Sequence, residues 1–192
     1  MSSRRVVQAY VELRAEDVEA ESAYQVARER LAAGRALASL RRLRLIELAG
    51  ASGDAVALAA RLHLSTQFYN PAKERCHVRA EPHEPAPVAA DETLVLVLER
   101  GGERRPGAER WWRHETAERV VVREGTLWAL RFEPGTDAAA AAAALAATRD
   151  RAHGLLANPH AQDYRLAQGA APPLPWISQR PARRTGRPGR LP

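Results

Sequence analysis

The chain has 192 residues, 45% hydrophobic and 27% charged, which is ordinary for a globular protein with room for one domain or two small ones. Its single cysteine, Cys76, excludes an internal disulfide, and no apolar run is long enough to span a bilayer. The net charge of +6 falls to +1 without the five arginines between Arg180 and Arg190, so the basic character belongs to a tail rather than to the body. The polar, basic start from Met1 carries no apolar signal segment, and a cytoplasmic protein is expected.

The elements follow in chain order. Arg5–Leu13 alternates as a strand, with Val7, Ala9 and Val11 opposite Gln8, Tyr10 and Glu12. Residues 15–33 shift to helical spacing, with Ala20, Ala23, Tyr24, Ala27 and Leu31 on one face and Gly34 as the stop. Leu43–Leu48 reads as a strand. A helix capped by Ser52 or Asp54 then runs to about Ser65, and Asn70-Pro71 ends the helical region. Cys76, Val78 and Ala80 alternate with Arg75, His77 and Arg79 in a further strand. Glu81–Asp91, with three prolines and few large apolar residues, is the best linker candidate.

The second half repeats the plan. Thr93–Leu98 is a strong strand, and Pro106–Thr116 a short helix with proline in its first turn. Arg119–Arg123 and Thr126–Phe132 read as a hairpin around Glu124-Gly125. Thr136 and Asp137 open a helix to about Leu156, Asn158-Pro159 ends it, and Asp163–Ala167 is the last strand. The Pro- and Arg-rich sequence after Gly169 predicts a disordered tail. Both halves thus read strand, helix, strand, helix, Asn-Pro, strand, which favours duplication over coincidence.

Residues 153–166 (HGLLANPHAQDYRL) resemble the closing signature of the small PurS subunit of phosphoribosylformylglycinamidine synthase, and residues 120–133 its central strand pair. Phe68-Tyr69 stands where that family has Leu-Ala before Asn-Pro. The resemblance implies an α+β fold of two tandem PurS-like sandwich repeats with antiparallel sheets in a ferredoxin-like layout. The repeats would occupy 1–81 and 93–168, separated by a linker at 82–92 and followed by a basic tail at 169–192. Their sheets either join or face each other. It implies a non-catalytic accessory subunit bridging a PurL-like synthetase and a PurQ-like glutaminase in de novo purine synthesis, with no cofactor. Asn70, Pro71, Leu155, Leu156, Asn158, Pro159, Asp163 and Tyr164 are the signature positions. Trp111 and Trp112, adjacent on a short helix, are candidates for an interface, internal or external.

Other chemistry reads weakly. The six histidines form no HxxxH or HExxH pattern, so no metal site is expected. Cys76 lies in a strand as a small hydrophobe, and no GxSxG turn accompanies it. Glu81, Glu84, Asp91 and Glu92 read as solvated linker charges. Gly101-Gly102 before Arg104-Arg105 lacks either phosphate-loop form. Two rival functions remain: a nucleic-acid module using the arginine tail for weak polyanion contact, and a small-molecule sensor with its ligand between the halves.

Overall fold

In a computed structural model, residues 5–178 are described. Six strands and four helices follow one another: β1 (Val6–Leu13), α1 (Val18–Arg30), β2 (Leu37–Ala49), α2 (Ala55–His63), β3 (Glu74–Arg79), β4 (Thr93–Glu99), α3 (Pro106–Thr116), β5 (Val121–Phe132), α4 (Ala138–Ala146) and β6 (Gln162–Gln168). The strands form one antiparallel sheet in the order β3-β1-β2-β5-β4-β6. This is an α+β protein whose halves join edge to edge, through β2 and β5, rather than face to face. With β4, β5 and β6 set against β1, β2 and β3, the order is the same from either edge.

The starts of three helices follow from a capping side chain, while α3 opens on Pro106 without one. Asp17 accepts the amides of Glu19 and Ala20, Asp54 that of Ala57, and Asp137 that of Ala140. Alternation then sorts the sheet into two faces. Helices cover one face in two mixed groups. In the first, α2 and α3 bury Leu58, Leu62 and Trp112 against Val7, Val11, Ile46, Leu48 and Val122. In the second, α1 and α4 bury Ala27 and Leu145 against Val95, Val97, Trp128 and Leu130. Each group takes one helix from each half, so neither half completes a core alone.

Four expectations change. The hairpin at Glu124-Gly125 is instead one continuous strand, β5, paired with β2 from Leu37↔Phe132 to Ala49↔Val121. Gly125 is required there by close approach, not by a turn: a Cβ would lie 2.6 Å from Leu98 Cδ2 and 2.9 Å from the Val97 carbonyl oxygen. The partner strand β2 begins at Leu37, six residues before the expected Leu43, because Arg41 and Arg42 interrupt its apolar run and are ion-paired in the fold. Helix α4 stops at Ala146 rather than near Leu156. Gly154, at φ 77°, lets the chain double back so that Leu155 and Leu156 donate to the Leu145 carbonyl.

The fourth change concerns the face opposite the helices. The proline-rich linker and the beginning of the expected tail cover it, burying Ala86, Val88, Trp176 and Ile177 against Tyr10, Leu43, Leu45, Leu94, Leu96 and Leu127. Residues 169–178 are therefore packed, because the arginine-rich composition begins only after the apolar Trp-Ile pair. The five tail arginines lie outside the described residues.

Gly125→Ala tests the β4–β5 seam. Crowding against Leu96, Leu98 and the backbone should lower unfolding stability by about 1–3 kcal/mol in urea titration. An unchanged midpoint and slope would contradict the tight approach.

Candidate functional site

The two Asn-Pro turns are built bond for bond alike. Asn70 accepts the amides of Lys73 and Glu74 on its carbonyl and that of Ala72 on its side chain, and it donates to the Glu74 carboxylate. Asn158 accepts the amides of Ala161 and Gln162 on its carbonyl and that of His160 on its side chain, and it donates to Gln162 Oε1. The arginines that follow β1 and β4 bind the two turns alike. The Arg14 amide reaches the Lys73 carbonyl at 2.8 Å, and the Arg100 amide reaches the Ala161 carbonyl at 3.0 Å. Pro71 and Pro159 hold the entry of each turn away from helical geometry.

The closing residues of these turns, Glu74 and Gln162, meet at a central cleft of about 340 Å³ on the helix face, in the gap between the two helix groups. A row of side chains crosses its floor by register: Val11 beside Arg44, Arg44 beside Thr126, Thr126 beside Val97. Its walls are charged. Arg44 lies 3.7 Å from Glu74 and 3.5 Å from Glu124, and Arg105 also pairs with Glu124. Arg42 forks onto Asp17 at 2.9 and 3.1 Å. Burial raises the Asp17 carboxyl, but the Arg42 hydrogen bonds and the Ala20 and Glu19 amides outweigh it and hold the group below its ordinary value. The buried Nε of Arg44 has no hydrogen-bond partner among the described residues. Such a site can grip a small polar molecule by charge and hydrogen bonding.

Three of the remaining signature residues serve the core. Leu156 is buried, and Leu155 and Tyr164 pack beside it against the α1/α4 group. Asp163 pairs with Arg100 at 2.9 Å near the surface. Trp112 is fully buried, and Trp111 stands half-buried next to it. Both rings meet Phe68 edge-on, at 5.6 Å for Trp111 and 5.9 Å for Trp112. Because Phe68 belongs to the first half and α3 to the second, this is the internal contact. Of the two arginines after Gly101-Gly102, Arg104 pairs with Glu109 and Arg105 faces the cleft. Cleft residues Arg42, Arg44 and Glu124 were not singled out by the sequence. Their signal is charge at helix-facing positions inside β2 and β5.

A second polar cluster lies on the opposite face. Gln8, Glu47 and Arg79 are each almost wholly buried. Gln8 donates to Glu47 at 2.9 Å, and Arg79 donates to Gln8 at 2.9 Å. Glu47 also accepts the backbone amides of Trp176 and Ile177. Desolvation raises the Glu47 carboxyl above its ordinary value despite these three donors and the field of Arg123. Tyr10 and Arg165 complete its charged and titratable surroundings.

No family model, curated protein or solved structure matches the chain. Among the described residues, no group of three or more metal-ligating side chains is assembled, and no helix is long and apolar enough to cross a membrane.

Two titrations follow. Cys76, facing the α2/α3 core, is pushed up to about 11 by burial, with Glu74 adding and Arg44 opposing. Its alkylation by iodoacetamide at pH 8 should be roughly tenfold or more slower in the folded chain than in denaturant; equal rates would contradict the burial. For Glu47, the folded state holds its proton to higher pH than the unfolded state. Its favourable contribution is thus complete below the ordinary carboxylate range and is lost as pH rises through the raised value. In denaturant titrations, the stability difference between wild type and Glu47→Gln should move in favour of Gln as pH rises. A difference independent of pH would contradict the raised value.

Proposed function

We propose that the chain is a PurS-like, non-catalytic accessory subunit in which one polypeptide carries both copies of a duplicated unit. It bridges a PurL-like synthetase and a PurQ-like glutaminase of phosphoribosylformylglycinamidine synthase in the cytoplasm. The observation that carries the reading is the paired Asn-Pro turn: the same hydrogen bonds recur at Asn70 and Asn158, at the same place in a strand order that is symmetric about β2 and β5. A dimer of single units would need two chains to form such an arrangement, whereas a tandem chain needs one. The signature residues support the reading as builders of the fold. The docking itself would fall to exposed surface, where Val56 of α2 and Leu64 at its C-cap face solvent.

The central cleft favours a second reading, a sensor for a small polar ligand held between the halves. Its paired carboxylates and guanidiniums suit a ligand carrying both charges, such as an amino acid. The rival use of the arginine tail on a polyanion rests on residues outside those described.

Affinity capture of the tagged chain from its own cells distinguishes these. The accessory role predicts recovery of both an ATP-dependent synthetase and a glutaminase, and depletion of the chain should suppress glutamine-dependent synthesis by the recovered complex. Capture of neither subunit, together with a thermal shift of several degrees on adding glutamine or a purine intermediate, would replace the scaffold reading with the sensor.

A further inference from the structure

The face of the sheet opposite the helices is built to hold a peptide backbone. The C-terminal segment lying there is not a strand of the sheet. Buried side chains grip its main chain instead. Arg79 donates to the Pro172 carbonyl and Gln8 to the Pro173 carbonyl, the latter at 3.0 Å. Glu47 accepts the consecutive amides of Trp176 and Ile177, and Arg165 donates to the carbonyls of the same two residues. The Trp176 ring is 1% exposed, on a floor that includes Leu43, Leu45 and Leu127.

The distribution of donors and acceptors matches one ligand chemistry. Proline has no N–H, so a groove facing prolines needs only donors to meet their carbonyls. Arg79 and Gln8 provide these at Pro172 and Pro173. Where the segment turns to residues with N–H groups, the groove presents a carboxylate. Proline fixes φ and leaves such a segment less backbone entropy to lose on binding, and tryptophan is enriched among the anchors of such contacts. Static cover alone would be served as well by apolar residues, because buried charges are costly to desolvate. Polar Gln8, Glu47 and Arg79 suit a face that is at times wet. The segment follows the last strand and leaves the sheet at Gly169, whose φ of 69° turns the chain after β6. It can lift without unpairing a strand.

We propose that this face is a peptide-recognition groove, filled at rest by residues 172–177 of its own chain, and that it accepts in exchange a proline-rich segment of a partner protein closed by tryptophan and an aliphatic residue. The proposal stands apart from the purine reading, since it rests on the opposite face of the sheet.

A fluorescent synthetic peptide of residues 170–178 is the probe, with full-length chain as receptor. Trp176→Ala empties the anchor site, and this variant should bind the peptide at least tenfold more tightly than wild type, whose own segment competes. The same peptide with alanine at the tryptophan position should not bind. A variant that retains native circular dichroism yet treats both peptides alike would overturn the proposal. Should Trp176→Ala fail to fold, a protease site inserted after Gly169 is cut once the chain has folded. Replacement of the released segment by labelled peptide supports the groove. Retention of the segment against excess peptide, or unfolding on its release, would overturn it.

Discussion

The long antiparallel pairing of β2 with β5 is the constraint on which the other features depend. It runs the length of both strands, twelve residues in β5 and thirteen in β2, and places Leu43 beside Leu127 near its middle. Strand register fixes which side chains share a face, since a slip of one residue turns every side chain over. Holding this register brings Arg44 next to Thr126 and Ile46 next to Glu124, and so sets charge on the helix face at the centre of the sheet. The helix groups stand to either side of that charge, and the cleft is the space between them.

The same pairing makes the two halves interdependent. Small units of this size bury modest cores and rely on a neighbour. Here each helix group draws on both halves: Trp112 of α3 meets Phe68 of the first half, and Leu31, the C-cap of α1, shares a core with Leu145 of the second. The opposite face is closed by chain outside the six strands and four helices, the linker and the segment after β6. Arg79 joins these two by donating to the carbonyls of Pro82 and Glu84 on one side and Pro172 on the other. One buried guanidinium therefore organises the cover of that face.

Much of the fold was legible wherever local chemistry decided it. Alternation located β1, β3, β4 and β6, Asp54 and Asp137 marked helix starts, and Pro106 marked another. Local chemistry misled where a distant neighbour governed the residue. Gly125 has the look of a turn, but its role is to make room for Leu96 and Leu98 of another strand. Ala-rich sequence continues the helical pattern past Ala146, yet Gly154 returns the chain against the end of α4. The prolines of 172–175 signal disorder by composition, although Trp176 and a buried carboxylate hold them down. Of the candidate site, the Asn-Pro steps were legible as breaks in helical geometry, although they do not end the helices: α2 already stops at His63 and α4 at Ala146. The common approach of the two turns to a cleft was not legible, because Arg42, Arg44 and Glu124 reach it only through the pairing of β2 with β5.

The central claim is that both halves form one cooperative body across that pairing. Native-state hydrogen exchange tests it most directly. The amides of Leu43 and Leu45 in β2 and of Leu127 and Ala129 in β5 should open with the same free energy and the same dependence on denaturant, as parts of one global unfolding event. Continued protection of residues 93–168 while β1, β2 and β3 exchange would show two independent units and contradict the account.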